Sequence, residues 1–291
     1  MRSLKWIIGK VEIQQIVEFE EAGKLIQSTF KEATPETVKR ISWLYPDFAD
    51  SKGNLKALVQ SFLVKSEGKI ILIDTCNGNN KTRSDLQKWG NLQTDFILKL
   101  RKTGIKETEI NIVICTHLHC DHVGWNTKLE NGSWIPTFTK AKYLFVREEF
   151  DYWKQKPEKE MKADKEAFAD SVEPIINEAL AEIVESDYRV DGNIKLRSTI
   201  GHTPGHVSVS IESKGQKALI SGDFIHHPIQ FVYPFWTMDA DVLPEEALKT
   251  RQRLFNELAD KNILLIGSHF SNPVAGFVEK DRLGYIFKQE C

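Results

Sequence analysis

From Thr116 to His122 the chain reads Thr-His-Leu-His-Cys-Asp-His, so four candidate metal ligands fall within six positions. Imidazoles and a carboxylate at this density suit a divalent cation. The preceding run, Ile110-Asn111-Ile112-Val113-Ile114-Cys115, reads as a buried strand. If the segment stays extended, His117 and His119 share a face and point at one ion. A turn or helix after them carries Asp121 and His122 toward a second ion. Two cations held this close are a means of making hydroxide at neutral pH. Three more strand-like runs end on the same chemistry. Asn193 to Ile200 delivers Gly201-His202-Thr203-Pro204-Gly205-His206, Lys217 to Ile220 delivers Ser221-Gly222-Asp223, and Asn262 to Ile266 delivers Gly267-Ser268-His269. A lone histidine more often packs or caps than binds metal. Here all eight histidines lie just beyond apolar runs, the remaining pair being His226 and His227. Strands of one sandwich can end on a common rim, and there these side chains can converge.

The elements that must position them are legible in outline. Val11 to Val17, Ala57 to Val64 and Lys69 to Asp74 carry strand-forming residues, separated by turn-forming Ser-Lys-Gly-Asn and Ser-Glu-Gly-Lys. Leu92, Phe96, Ile97 and Leu100 recur at helical spacing. Ile175, Ile176, Ala179, Leu180 and Ile183 predict a helix beginning near Pro174, and Pro244 to about Ala259 predicts a last amphipathic one. Lys154 to Lys165 reads as a charged, solvated excursion. Strands interleave with helices while several neighbours suit antiparallel pairing, which favours an α/β sandwich of sheets between helices. With no repeat, low-complexity tract or linker, residues 1–291 read as one domain. At 291 residues and 41 % hydrophobic composition, the chain can bury one large core or two modest ones.

Several function classes are disfavoured. The formal net charge of -2, with no basic block, gives nucleic acid no footprint. No apolar run approaches a membrane span, and the first residues lack the pattern of a secretory signal. Cys76, Cys115, Cys120 and Cys291 form no CxxC pair and read as reduced thiols in a cytoplasmic protein. Cys120, between ligands but out of register with them, reads as buried packing.

The HxHxDH run, the later Gly-His-Thr-Pro-Gly-His, the Ser-Gly-Asp and the final Ser-His-Phe strongly resemble the metallo-β-lactamase superfamily. The match spans about residues 58–275 and includes Leu72-Ile73-Asp74-Thr75, similar to the family's structural aspartate strand. The resemblance implies a four-layer αββα sandwich with a dinuclear metal site at the edge of the two sheets. His117, His119 and His202 would hold the first ion. Asp121, His122 and His269 would hold the second, with Asp223 bridging. The resemblance makes His202 the ligand and His206 a supporting or strand-start residue. Asp74 reads as a buried carboxylate that satisfies backbone donors, not as a catalyst.

A bridging aspartate at this position looks like the hydrolases of thioesters, lactones and phosphotriesters. The implied activity is cleavage of a small ester-type substrate by a metal-bridging hydroxide, with Asp223 and Asp121 central. Zinc suits the nitrogen and oxygen donors, and iron, manganese or cobalt would also fit. Lactonases of the superfamily tend to carry tyrosine three residues past the bridging aspartate, where this chain has His226. That departure, with Gln230-Phe231 following, looks nearer the methyl-parathion-hydrolase-like branch. His226 either donates a hydrogen bond to substrate or buttresses a ligand. Trp125, Phe231, Tyr233 and Trp236 are candidate substrate contacts, alongside Phe235, Trp43 and Tyr45. Two rivals remain within the resemblance: a mononuclear iron oxidoreductase of the persulfide dioxygenase type and a glyoxalase-II-like thioesterase. A non-catalytic binding protein is a third, disfavoured because all seven ligand positions are intact. The polar segment from about Glu18 to Asp50 suits either a cover over the pocket or a homodimer contact.

Overall fold

In the computed structural model, residues 3–23, 29–282 and 284–289 are described. The strands are β1 (Lys5–Ile8), β2 (Val11–Gly23), β3 (Leu55–Ser66), β4 (Lys69–Ile73), β5 (Ile112–Ile114), β6 (Thr127–Glu130), β7 (Ser133–Pro136), β8 (Lys142–Val146) and β9 (Ala181–Val184), then β10 (Ile194–Ser198), β11 (Val207–Ser213), β12 (Gln216–Ile220), β13 (Ile263–Ile266), β14 (Ala275–Asp281) and β15 (Gly284–Gln289). One sheet runs β1-β2-β3-β4-β5-β8-β9, the other β10-β11-β12-β13-β14-β15, and β6 pairs with β7 alone. In the first sheet β4, β5, β8 and β9 are mutually parallel. In the second, β12 and β13 are parallel, and β10 runs the same way because two antiparallel steps separate it from β12.

Strand alternation divides the apolar residues among three cores. Ile71, Ile73, Ile114, Ala218, Ile220, Leu264 and Ile266 point between the sheets. Leu72 and Val113 point the other way, onto helices α2 (Phe96–Lys102), α4 (Arg147–Lys154), α5 (Lys162–Ala167) and α6 (Glu173–Asn177). Leu219 and Leu265 face the remaining helical layer, where α8 (Pro244–Leu258) contributes Leu254, Phe255 and Leu258. The architecture is therefore the αββα sandwich. Strands buried on both faces carry continuous apolar runs, which is why their sequences read Ile-Ile-Leu-Ile and Ile-Leu-Leu-Ile.

Two sequence expectations are corrected. The helix at Pro174 stops at Asn177, because Ala179 turns with φ +54° and residues 181–184 pair in parallel with β8 as strand β9. Sheet pairing overrides the helical spacing of Leu180 and Ile183. The charged stretch from Lys154 to Lys165 is exposed at Lys154, Gln155, Lys156, Glu158 and Lys159, as a solvated excursion should be, but the expectation fails at its end. It ends in α5, which buries Ala163 and Asp164, and a π turn over Phe168–Val172 continues the helical run into α6. Of the Glu18–Asp50 segment, residues 24–28 lie outside the described residues. Beyond them, Phe30, Val38, Leu44 and Phe48 pack into the outer core of the second sheet, with α1 (Pro35–Lys39) among them. Cys76, Cys115 and Cys120 are buried free thiols, while Cys291 lies outside the described residues.

Candidate metal centre

The four predicted strand ends meet on one edge of the sandwich. β5 runs out through Thr116 to His117, β10 toward His202, β12 to Asp223 and β13 to His269. The short helix α3 (Cys120–Val123) then presents Asp121 and His122. Ligand atoms of His117, His119 and His202 lie within 4.8 Å of one another, as do those of Asp121, His122 and His269, and those of His117, His122 and Asp223. All seven expected ligands are thus brought together. Asp223 Oδ2 is their hub, 3.1 Å from His269 Nε2, 3.4 Å from His122 Nε2, 3.5 Å from His202 Nε2 and 3.9 Å from His117 Nε2.

Buried acceptors fix four of the imidazoles from behind. His122 Nδ1 is 2.9 Å from Asp74 Oδ2, His202 Nδ1 2.9 Å from Asp241 Oδ1, and His269 Nδ1 2.9 Å from the Leu58 carbonyl. His117 Nδ1 is 3.1 Å from Thr116 Oγ1, which itself donates to Asp74 at 2.9 Å. With each Nδ1–H donating outward, the Nε2 lone pairs face inward, the arrangement that metal-binding histidines require. Nε2 of His117, Nε2 of His202 and Oδ1 of Asp223 are buried with no hydrogen-bond partner. His122 Nε2 and His269 Nε2 lie 3.2 Å apart. Two such lone pairs repel unless a proton or a cation lies by them. These orphaned donor atoms fit a pair of divalent ions.

The electrostatics agree. Burial opposes protonation of His122, yet the carboxylates of Asp223, Asp121 and Asp74 hold its pKa well above the usual histidine value. Burial likewise opposes a charge on His269, and Asp223 and Asp121 still push it up. Burial favours the neutral acid at Asp223, but His269, His122 and His226 hold it well below the ordinary carboxylate value. The pocket is built for positive charge at its centre. His117 and His202 are driven low by burial and by their neighbouring imidazoles, leaving them neutral as ligands must be.

His206 supports the site from outside it. Its Nε2 accepts the Asp223 N–H at 2.6 Å, its Nδ1 faces the Thr199 carbonyl at 3.0 Å, and burial pushes its pKa down to about 4. Gly222 makes this contact feasible, having φ +54° and a position where a Cβ would come 2.5 Å from His206 Nε2. Asp74 does what was expected and more. It accepts from the Thr116 N–H at 2.7 Å, and it also orients His122. Both nitrogens of His226 are buried and unpartnered, and Nε2 is 3.2 Å from Asp223 Oδ2.

Sequence reasoning missed three supports. Asp241 lies in a loop with no strand before it, so no pattern announced it. Burial opposes its ionisation, but His202, His226 and Arg251 hold its pKa at about 2. Arg251, fully buried on α8, also donates to the carbonyls of Phe224, Pro234 and Trp236 and pins that loop. Glu149 joins the two histidine loops, accepting the N–H groups of Leu118 and Gly205, each at 3.0 Å. A buried acid in a charged helix gives no sequence signal that separates it from its exposed neighbours.

A cavity of about 360 Å³ opens onto the cluster, bounded by His119, Asp121, His202, Asp223, His226 and His269. Its other walls are Thr29, Ala57, Leu58, Val59, Leu86, Trp89, Cys120, Met161, Asp164, Met238, Asp239 and Ala240. The structure does not bring the four expected aromatic contacts to it. Trp125 stacks on Phe96 and donates from Nε1 to Glu18, and Phe231 lies between Phe255 and Phe287. Tyr233 stacks on Trp236, which itself leans on Phe30. Nearness in sequence to a ligand says nothing about which way a ring points, and these point into the helical layers. Of the other three aromatics, Phe235 and Tyr45 are largely exposed and Trp43 packs on Phe48. Among the described residues, no helix is long and apolar enough to cross a membrane.

Comparison with known proteins gives a consistent result. The family model described as the metallo-beta-lactamase superfamily matches residues 57–269. An N-acyl homoserine lactonase of Bacillus thuringiensis is 27 % identical over 173 residues, covering 58 % of this chain and 60 % of that protein. The chain therefore spans 60 % of the length of this curated relative. Among solved structures, AidC, a dizinc quorum-quenching lactonase in complex with a product, superposes with a TM-score of 0.82 at 21 % identity, covering 99 % of this chain and 97 % of that one. The hydrolase AbOPH gives 0.81 at 22 % identity with the same coverages. At these identities the structural likeness speaks for the fold.

Proposed function

Because the chain belongs to the metallo-beta-lactamase superfamily, we propose that it is a dinuclear metal-dependent hydrolase of small ester-type substrates, whether lactone, carboxylic ester or phosphotriester. One observation carries this reading: the inward-facing donor atoms of five histidines and two aspartates gather at one edge of the sandwich, with Nε2 of His117, Nε2 of His202 and Oδ1 of Asp223 unpartnered and acceptors behind four of the imidazoles. His117, His119 and His202 would hold one ion, and Asp121, His122 and His269 the other, with Asp223 shared between them. A bound pair of divalent cations, zinc or else iron, manganese or cobalt, supplies nucleophilic hydroxide at neutral pH and polarises the bond to be cut.

The chain's own residues do the rest. Asp74, Asp241, the Leu58 carbonyl and Thr116 accept at Nδ1, which aims Nε2 inward and fixes the rings in direction. His226 lines the cavity and makes no hydrogen bond through either nitrogen, so its Nε2, 3.2 Å from Asp223 Oδ2, is suited to donate to an oxygen that gains charge during cleavage. Away from the cluster the cavity walls are mainly apolar and suit a small, largely uncharged molecule, consistent with the lactonases among the relatives. Residues 1–291 act as one catalytic domain, and the buried free thiols suit a reducing cytoplasm.

The test is a metal count on purified protein with a panel of lactone, carboxylic ester, thioester and phosphotriester substrates. Two ions per chain and turnover of at least one oxygen ester are expected. Asp223→Ala should lower turnover by about a thousandfold, in the range of losing a central electrostatic group. One iron per chain with oxygen consumption would replace the hydrolase by an oxidoreductase. Undiminished hydrolysis in the Asp223 variant would overturn the assignment of the site.

A further inference from the structure

One wall of the cavity comes from two segments distant in sequence and laced to each other. Leu86 and Trp89 line it from the loop after β4, and Met161 and Asp164 line it from the start of α5. Asp85 accepts the N–H groups of Lys162 at 2.7 Å and of Ala163 at 2.9 Å, capping α5 from across the gap. Ser84 donates from its N–H to Glu166 at 2.9 Å and from its hydroxyl to the other carboxylate oxygen. Deeper in, Asp170 on the π turn takes Arg83 Nη1 at 2.8 Å and Lys81 Nζ at 3.3 Å. Both cations are fully buried, and Lys81 Nζ lies 3.5 Å from the centre of the Trp134 ring. The Asp170 carbonyl also accepts from Lys81 Nζ at 3.2 Å and from Thr127 Oγ1 at 2.5 Å. A buried acid between two buried cations is a costly arrangement to leave half-made, so it enforces one geometry. None of Lys81, Arg83, Asp85 or Asp170 is among the lining residues, yet the side chains that line the cavity follow from them by a few positions.

We propose that residues 81–89 and 161–172 form one preassembled wall that selects substrates by their apolar group, with Asp85 and Asp170 as its positioning residues. The reading of the reaction as ester hydrolysis is taken from the proposed function, whereas the wall stands on its own contacts. Trp89 and Leu86 supply a broad apolar face, and Met161 supplies an unbranched, adaptable one. Both methionines of the chain other than Met1 line this cavity, with Met238 on the remaining side. Such a surface accommodates an aliphatic chain of variable length. Loosening the lacing should therefore weaken the grip on long chains and leave short ones alone.

The test uses the metal-loaded full chain as wild type, Asp85→Ala and Asp170→Asn. Values of kcat and KM are measured for p-nitrophenyl acetate and p-nitrophenyl octanoate, and binding of butanamide and octanamide is followed by titration calorimetry. In both variants the octanoate KM and the octanamide Kd should rise about tenfold, equivalent to losing part of one apolar side-chain contact. The acetate constants should stay within about twofold. If Asp170→Asn fails to fold, the surface variant Asp85→Ala decides alone. An unchanged octanoate-to-acetate ratio, or an equal loss on both esters, overturns the wall. So does wild type that binds octanamide no better than butanamide. Failure of wild type to hydrolyse either ester counts against the hydrolase reading instead, and the amide titrations still decide the wall.

Discussion

At the scale of single residues, the division of labour runs between groups that face the ions and groups that aim them. Asp241 exemplifies the second kind. It holds His202 Nδ1 at 2.9 Å and is itself within 3.9 Å of Arg251. Asp241→Asn keeps the shape but can present its amide N–H to Nδ1, which favours the wrong tautomer. Metal affinity at the first site should fall about ten- to hundredfold, measured by competition with a chromophoric chelator. Retained affinity would mean that packing alone orients His202. His226 poses a different question, since neither of its nitrogens makes a hydrogen bond in the fold although Nε2 lies 3.2 Å from Asp223 Oδ2. His226→Ala should lower kcat about a hundredfold while both ions stay bound. Loss of an ion in that variant would instead make His226 a buttress of the cluster. The candidate ligands could be picked out in the sequence because each lies shortly after an apolar run. Asp241, Glu149 and Arg251 could not, because a residue that acts through a second residue leaves no spacing of its own.

At the scale of elements, what was legible is the set of doubly buried strands. β4, β12 and β13 need apolar residues on both faces, so they appear as unbroken apolar runs whatever the surrounding topology. The β9 strand was misread because four residues at a sheet edge carry too little pattern to outweigh a helical spacing upstream. The cavity wall was illegible for a different reason: its side chains stand on loops and a six-residue helix, held by contacts between distant segments. The turn after Asp223 shows how such a segment is tied down. His227 accepts the Ile229 N–H at Nδ1, 3.0 Å away, and donates from Nε2 to the Phe48 carbonyl at 2.9 Å. It thereby joins α7 (Ile229–Val232) to the segment that carries Phe48. Burial pushes its pKa down to about 4. The unfolded chain takes up a proton near pH 6.5 while the folded one does not, so this contribution is full above pH 6.5 and is lost as pH falls toward 4. Wild type should lose roughly 3 kcal/mol more than His227→Gln across that window, from a pKa difference of about 2.5 units. Urea unfolding of both proteins at pH 7, 5.5 and 4 checks it. Parallel curves would mean that His227 is protonated in the fold.

At the scale of the whole molecule, the metal cluster is also where the two sheets are joined. His117, His119 and His122 descend from β5 of the first sheet, while His202, Asp223 and His269 come from β10, β12 and β13 of the second. Ions shared among them would therefore crosslink the halves of the sandwich at the edge where its strands end. Without cations, the same cluster concentrates carboxylates and inward lone pairs in a buried space, a repulsive arrangement that protons relieve only in part. Because the unfolded chain has no preformed site, binding energy becomes folding energy. At free metal a hundred times the dissociation constant, one site adds about 2.7 kcal/mol. For a chain of this size each kcal/mol is worth about 2–4 °C in Tm, so two such sites predict a rise of roughly 10–20 °C. Calorimetric scans of chelator-treated protein, before and after returning zinc, measure the difference directly. Hydrogen exchange should locate it, with protection gained at the ends of β5, β12 and β13 and little change at the far edge of either sheet. A chelated protein that melts at the same temperature, with those strand ends already protected, would show that the sandwich closes by its apolar cores alone and that the ions serve only the chemistry.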